Sequence, residues 1–79
     1  MRIRKARLRD AEAIFNLVPS SENITYDLIN EKLQDTSQEV YVATDFAANI
    51  LACALDINNI FVSDKCVEAS VEDTLRSKY

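Results

Sequence analysis

The sequence predicts an α+β fold in which two helices pack on one face of a mostly antiparallel sheet. Two amphipathic segments near the N-terminus are followed, beyond residue 37, by β-rich apolar segments. Short polar turns separate these segments, and strands joined by short turns run antiparallel. The 79 residues are expected to form one small domain, residues 1–79, with the element order β-α-α-β-β-β.

The first strand and the first helix are predicted over residues 2–8 and 11–18. Asp10 precedes the helix and is expected to cap it, because an aspartate can accept hydrogen bonds from the free amides of the first turn. Pro19 ends the helix, since proline disfavours the helical conformation of the residue before it. The apolar stripe that faces the sheet consists of Ile14, Leu17 and Val18.

The second helix is predicted over residues 25–33, with the Thr25 side chain as its N-cap. Its apolar positions recur at helical spacing and comprise Tyr26, Ile29 and Leu33, with Leu28 beside them. Tyr26 and Tyr41 are expected to be core or rim aromatics, because neither has a neighbour in the sequence that suggests proton transfer.

Three further strands are predicted from β-branched and apolar residues over 40–44, 50–57 and 60–71. The last is expected to be bent or interrupted at residues 63–65. Residues 72–79 are polar and are predicted to be a loop or a single frayed turn.

The residue types that the chain lacks exclude several classes of site. It contains no glycine, whereas loops that cradle phosphates use glycine where the backbone approaches the ligand or takes a positive φ. It also contains no histidine and no CxxC motif, so no metal site is expected. Cys53 and Cys66 are interpreted as reduced core thiols within strands, not as a disulfide.

Charge is unevenly distributed along the chain. Residues 1–9 contain five basic side chains and no acid, although the net charge is −4. A basic stretch of this kind can contact nucleic acid or an acidic surface, but here it is interpreted as the polar positions of the first strand. Because the acidic remainder would repel phosphates, no nucleic-acid partner is predicted. No apolar run approaches the roughly 20 residues of a membrane span. There is no membrane or secretory signal, and a cytoplasmic location is expected.

Three segments of the chain resemble landmarks of the GNAT family of N-acetyltransferases. Residues 3–18, IRKARLRDAEAIFNLV, are similar to the first strand and helix of that family. Residues 40–57, VYVATDFAANILACALDI, resemble its second and third strands, and residues 67–79, VEASVEDTLRSKY, its fourth strand and the exit from it. Alanine occupies places where glycine is common in the family, which are Ala47, Ala48 and Ala52.

The resemblance implies the N-terminal half of a GNAT-like fold, with acetyl-CoA as the cofactor. Tyr79 takes the position of the first glycine of the family's pyrophosphate loop, so that loop and the fifth strand would lie further on. The residues that the resemblance assigns to cofactor binding, through strand backbone and loop, are Ala69, Val71, Arg76, Ser77 and Lys78. The alternative is that the two apolar residues are core positions and the two cations are solvated.

The resemblance places a catalytic base on the fourth strand, and Glu68 is the carboxylate nearest that position. The alternative is that Glu68 is a strand carboxylate that faces solvent. Two functions remain open for the chain. One is acetyl transfer from acetyl-CoA to an amine by a domain that is incomplete, and inactive as an isolated chain. The other is a non-catalytic interaction or dimerisation module derived from an acetyltransferase half. The exposed fourth strand predicts a homo-oligomer, or pairing with a missing C-terminal half.

Overall fold

A computed structural model describes all residues from Met1 to Tyr79. Its centre is a four-stranded sheet in the order β1-β2-β3-β4, and every neighbouring pair is antiparallel. The strands are β1 (Arg2–Lys5), β2 (Tyr41–Thr44), β3 (Ile50–Asp56) and β4 (Asn59–Val62). β1 and β4 are therefore the outer strands of this four-stranded sheet. No helix has the length and apolar character needed to cross a membrane.

Helices cover both faces of the sheet. α1 (Ala11–Leu17) and α2 (Tyr26–Gln34) lie on the first face, and α3 (Val71–Arg76) lies on the second. The core of the first face comprises Ala11, Ile14, Ile29, Val40, Val42, Cys53 and Leu55. The core of the second face comprises Ala43, Ala52, Ala54, Val71 and Leu75. The predicted α+β class and antiparallel strands are confirmed, whereas α3 on the second face was not expected.

β1 ends earlier than predicted because the chain turns into a short 3-10 helix, Leu8–Asp10. The carboxylate of Asp10 accepts hydrogen bonds from the Arg4 guanidinium at 2.8 and 3.2 Å, and from the amide of Arg7 at 2.7 Å. Its side chain bonds no amide of α1, and its own φ and ψ, −85° and −3°, are helical. The predicted N-cap of α1 is therefore wrong. Asp10 instead ties the turn before α1 back to β1.

The predicted N-cap of α2 is confirmed. Oγ1 of Thr25 accepts a hydrogen bond from the amide of Leu28 at 3.1 Å. Ile29 is fully buried and Leu33 packs against the same core. Tyr26 is 42% exposed, and its ring meets Phe15 edge to face with centroids 5.9 Å apart. Tyr26 is thus an aromatic residue of the rim, as expected.

The turn between β2 and β3 is organised by the side chain of Asp45. Oδ1 of Asp45 accepts hydrogen bonds from the amides of Ala47 and Asn49, each at 2.9 Å. Ala48 lies within this turn at a φ of 68°, in the left-handed region that disfavours residues with a Cβ. Ala48 thus takes a backbone conformation that glycine would adopt at lower cost.

The predicted strand over residues 60–71 is wrong beyond Val62. Ser63 ends β4, because its hydroxyl accepts a hydrogen bond from the Lys65 amide at 3.1 Å and its carbonyl accepts one from the Cys66 amide at 3.0 Å. These bonds turn the chain away from the sheet. Val67 is 94% exposed, so its alternation with later apolar residues does not reflect a strand.

The C-terminal residues form a packed helix where a loop or frayed turn was predicted. Val71 and Leu75, one helical turn apart, are 3% and 0% exposed. They pack on the second face of the sheet, where small side chains let the helix approach closely: Ala43, Ala52 and Ala54. Helices therefore cover the sheet on both sides. This layered arrangement lets a short chain bury both faces of the sheet.

Candidate functional site

The outer edge of β4 presents unpaired backbone hydrogen-bonding groups. Ser63, next after β4, donates its amide to the Leu51 carbonyl of β3 at 2.8 Å. Because bonding alternates along an antiparallel strand, the amides and carbonyls of Ile60 and Val62 point away from β3. A ligand or strand that carries amides can pair with them.

The side chains along this edge are uncharged. Ile60 is half-buried against the core of the second face, and Phe61 is half-buried against the core of the first. Val62 is 40% exposed at the end of the strand. The edge is therefore a short strip of apolar side chains and free amides, suited to an uncharged, extended ligand.

Residues 63–70 connect β4 to α3, a strand–loop–helix arrangement of the kind that binds phosphates when the loop is rich in glycine. This loop has no glycine, and Lys65 is outnumbered by the exposed acids Asp64 and Glu68. Glu72 and Asp73 follow in the first turn of α3. Their negative charge would repel a diphosphate at the N-terminal end of α3. The loop therefore does not fit the diphosphate of a CoA-type cofactor.

The structure separates the two apolar residues that the resemblance assigned to cofactor binding through strand backbone. Ala69 is exposed in the loop, and Val71 is buried beneath α3. Neither lies on a strand, so the expected presentation of strand backbone by these two residues is wrong. In β4 the positions with outward-facing amides are Ile60 and Val62. The sequence signal that could have located them is the polar Ser-Asp-Lys run, which ends the strand directly after them.

The residues expected to begin a phosphate loop lie at the end of α3. The Arg76 guanidinium is bonded to Glu72 at 3.0 Å and to Asp73 at 3.4 Å. The Ser77 hydroxyl donates to the Thr74 carbonyl at 2.6 Å. Lys78 is exposed beyond the helix. A role for these residues in cofactor binding stays a prediction, and the charge of Arg76 is already opposed by its acidic neighbours.

Glu68, the candidate for a catalytic base, is exposed in the loop and not on a strand. Its carbonyl oxygen accepts a hydrogen bond from the Val71 amide at 3.3 Å, which places it just before α3. The structure gives its carboxylate no partner that would hold it toward a reacting amine. Its role as a base stays a prediction.

An open cleft of about 730 Å³ lies between the end of α1 and the start of α2. Its walls combine apolar side chains with amides and hydroxyls and include no charged residue; they are formed by Phe15, Asn16, Val18, Pro19, Ser20, Asn23, Ile24, Thr25 and Tyr26. The left-handed backbone of Asn23, with φ 56°, shapes the segment between the helices. An apolar wall with a few polar groups is typical of a small-molecule site.

The two cysteines are free, as predicted. Cys53 is fully buried in the core of the first face, and Cys66 packs against the core of the second. The sheet separates them, so they cannot form a disulfide in this fold. Cys66 lies in the loop after β4 and not in a strand, which corrects the predicted location. Burial raises the pKa of the Cys53 thiol to about 12, so it stays protonated.

The chain has a GNAT-like fold that corresponds to part of solved N-acetyltransferase chains. It matches the crystal structure of a ribosomal-protein-alanine N-acetyltransferase from Brucella melitensis biovar Abortus 2308, with a TM-score of 0.71 and 18% identity. It also matches a protein proposed to be a phosphinothricin N-acetyltransferase, with a TM-score of 0.63 and 24% identity. At such identities the similarity shows the fold. The GNAT-like fold predicted from the sequence is therefore confirmed.

The chain is shorter than both of these structures. The matches cover 99% and 98% of this chain but 68% and 60% of the solved chains. No protein-family model matches the sequence, and no curated protein matches it significantly.

Proposed function

We propose that this chain is part of an acetyl-CoA-dependent N-acetyltransferase domain, which transfers an acetyl group from the thioester to an amine. The observation that carries the proposal is the free β4 edge in a fold shared with N-acetyltransferases. An acetyl-CoA-dependent activity also agrees with the cytoplasmic location expected from the sequence.

The β4 edge suits one portion of the cofactor. The pantetheine arm of CoA carries amides along an extended chain, and amides of this kind pair with strand backbone as a neighbouring strand would. The outward-facing groups of Ile60 and Val62 supply the matching donors and acceptors. The acidic loop after β4 does not suit the diphosphate, so the proposal assigns only the arm to this chain.

The cleft between α1 and α2 is the proposed acceptor site. Phe15 and Tyr26 form an edge-to-face pair at its mouth, which would contact the apolar part of an amine-bearing substrate. Asn23 and Thr25 bring an amide and a hydroxyl to the same cleft. Because no charged residue lines it, the cleft favours an acceptor whose amine is neutral when it enters, as direct attack on a thioester requires.

Amide chemical shifts of the isotopically labelled chain test the cofactor proposal. Acetyl-CoA and pantetheine, which share the arm, are expected to move the amide resonances of Ile60 and Val62. Adenosine bisphosphate, which carries the phosphates without the arm, is the control ligand and is expected to leave both unchanged. A folded sample in which neither arm-bearing ligand moves these resonances would contradict the proposal.

A non-catalytic interaction module is the second candidate. The acidic, glycine-free loop favours it, because this loop offers the cofactor's phosphates no site. A calorimetric titration separates the two candidates. Heat on adding acetyl-CoA supports the cofactor proposal, whereas no heat from a folded sample leaves the interaction module as the better account of this chain.

A further inference from the structure

The segment that forms the cleft between α1 and α2 carries negative charge and no cation. Residues 10–31 include no lysine, arginine or histidine. Glu22 directly precedes the wall residue Asn23, and Asp27 directly follows the wall residue Tyr26. Both carboxylates are exposed, and neither takes part in an ion pair. A ligand with a carboxylate would be repelled by these acids and would find no cation in this segment to pair with.

The end of α1 brings hydrogen-bond acceptors to the same cleft. Asn16 and Val18 are wall residues, and their backbone carbonyl oxygens accept no hydrogen bond within the chain. The reason is local, because α1 ends at Leu17 and Pro19 has no amide hydrogen to donate. The Asn16 carbonyl, like others in a helix, points toward the C-terminal end, where the cleft lies. The N–H groups of an amine can donate to such oxygens, whereas a carboxylate cannot.

The start of α2 does not compensate by attracting an anion. Free amides at a helix N-terminus favour anions in general. Here Oγ1 of Thr25 already accepts a hydrogen bond from the Leu28 amide at 3.1 Å, and the carboxylate of Asp27 lies in the first turn. Its charge opposes a second anion at that position. Both ends of the cleft therefore favour an amine over a carboxylate.

The aromatic pair at the mouth of the cleft suits an apolar body attached to the amine. Phe15 and Tyr26 are 41% and 42% exposed, so their rings are accessible while they contact each other. A ring placed against them can adopt the edge-to-face geometry that aromatic groups prefer. The volume of about 730 Å³ lies within the range of small-molecule sites.

We infer that this cleft takes a small primary amine with an aromatic body and no carboxylate, an arylalkylamine and not an amino acid. The amine donates to the carbonyl oxygens of Asn16 and Val18, and the ring packs against Phe15 and Tyr26. A neutral amine keeps N–H groups to donate, so this contact survives the loss of the proton that must precede attack on a thioester. The inference rests on the proposed function for the use of the cleft as the acceptor site.

Amide chemical shifts of the labelled chain test this preference at low ionic strength and without acetyl-CoA. The probes are phenethylamine, phenylalaninamide and phenylalanine, which share the ring and the amine. Only phenylalanine carries a carboxylate, and phenylalaninamide matches it in size. The first two are expected to move the resonances of Asn23 and Thr25, with a Kd about tenfold lower than that of phenylalanine. Equal binding of phenylalanine and phenylalaninamide would overturn the inference.

Glu22→Lys places a cation beside the cleft and is expected to reduce the preference for phenylalaninamide over phenylalanine by at least half. Glu31→Lys is the matched control, because Glu31 is exposed on α2 more than one turn beyond the cleft and its substitution changes the net charge equally. The control is expected to keep the preference of the unmodified chain. An equal reduction in both folded variants would assign the preference to net charge and overturn the role of the cleft.

The same spectra separate a failure of this inference from a failure of the proposed function. The resonances of Ile60 and Val62 report the cofactor arm, whereas those of Asn23 and Thr25 report the amine. Amines that bind as expected while acetyl-CoA leaves Ile60 and Val62 unmoved would support the amine site and contradict the transferase. Acetyl-CoA that moves Ile60 and Val62 while no amine moves Asn23 or Thr25 would support the transferase and overturn the inference.

Discussion

The hydroxyl of Tyr79 donates a hydrogen bond to the backbone carbonyl oxygen of Glu39, 2.7 Å away, although 40 positions separate the two residues in the sequence. The same hydroxyl lies 3.1 Å from the carbonyl oxygen of Ala54 in β3. The Tyr79 ring meets Tyr41 edge to face, with centroids 5.6 Å apart. These contacts fasten the segment after α3 to the sheet and hold the helix over the second face.

Tyr79→Phe is expected to lower the free energy of unfolding by about 1 kcal/mol, because the ring contacts remain while the hydrogen bond is lost. Tyr26→Phe is the matched control, since Tyr26 is equally exposed, at 42%, and has a similar edge-to-face contact. Urea denaturation of the two variants measures the difference. Equal stability of both variants would show that the Tyr79 hydroxyl contributes nothing to holding α3.

The same hydroxyl predicts a loss of stability at high pH. Burial, with smaller contributions from nearby acidic groups, raises the pKa of Tyr79 to about 12 from its ordinary value of 10.0. The unfolded state therefore loses this proton first as the pH rises above 10.0, and the stabilisation disappears progressively toward pH 12. Thermal unfolding across this range is expected to show a smaller decline for Tyr79→Phe than for the unmodified chain. Parallel declines would contradict the prediction.

Asp10→Ala is expected to destabilise the fold by about 2 kcal/mol at neutral pH, since it leaves the Arg4 guanidinium and the Arg7 amide without their acceptor. Asp27→Ala, at an exposed position of α2, is the control and is expected to have little effect. Chemical denaturation measures both.

The contribution of Asp10 also depends on pH. Burial acts to raise the pKa of this carboxyl, but the hydrogen bonds from Arg4 and Arg7 outweigh it, and the pKa lies below the ordinary 3.8. The stabilisation is present above pH 3.8 and is lost as the pH falls through the lowered pKa. The difference in stability between Asp10→Ala and the unmodified chain should therefore shrink in acid. A difference that is constant with pH would argue against the ion pair.

Ala48→Gly is expected to stabilise the chain by about 1 kcal/mol, because it removes the Cβ from a residue with a left-handed backbone. The φ of Ala48 is 68°, whereas Ala47 in the same turn does not have a positive φ. Ala47→Gly therefore serves as the control and is expected to give no gain. Melting temperatures of the two variants test the assignment, and a gain at position 47 alone would contradict it.

Thiol labelling of the folded chain is expected to modify Cys66 and to spare Cys53. Cys53 is fully buried and its pKa is raised to about 12, so it presents neither access nor a thiolate. Mass spectrometry of Cys66→Ser should then show no label until the chain unfolds, while Cys53→Ser should label as the unmodified chain does. Rapid labelling of folded Cys66→Ser would mean that the core of the first face opens.

Local patterns determined the N-terminal layer of the fold. The Thr25 cap, the helical spacing of Ile14 and Ile29, and the β-rich runs that became β2 and β3 all report interactions within a few residues, so the sequence predicts them directly. The sequence predicted a strand over residues 60–71, where the apolar residues Val67, Ala69 and Val71 alternate with polar ones. This local alternation was misleading. It resembles a strand locally, whereas the turn at Ser63 removes these residues from the sheet.

The sequence by itself determined the α+β class and the antiparallel order of the strands, because both depend on residue patterns of short spacing and on short turns. Only the tertiary structure decided the role of the C-terminal residues. Val71 and Leu75 become a buried helical stripe only against a sheet face made of small alanines. Tyr79 finds its hydrogen-bond acceptors, the carbonyl oxygens of Glu39 and Ala54, far away in the sequence. Contacts between distant segments have no local signature, so the second face of the sheet and the free edge of β4 emerge only once the chain is folded.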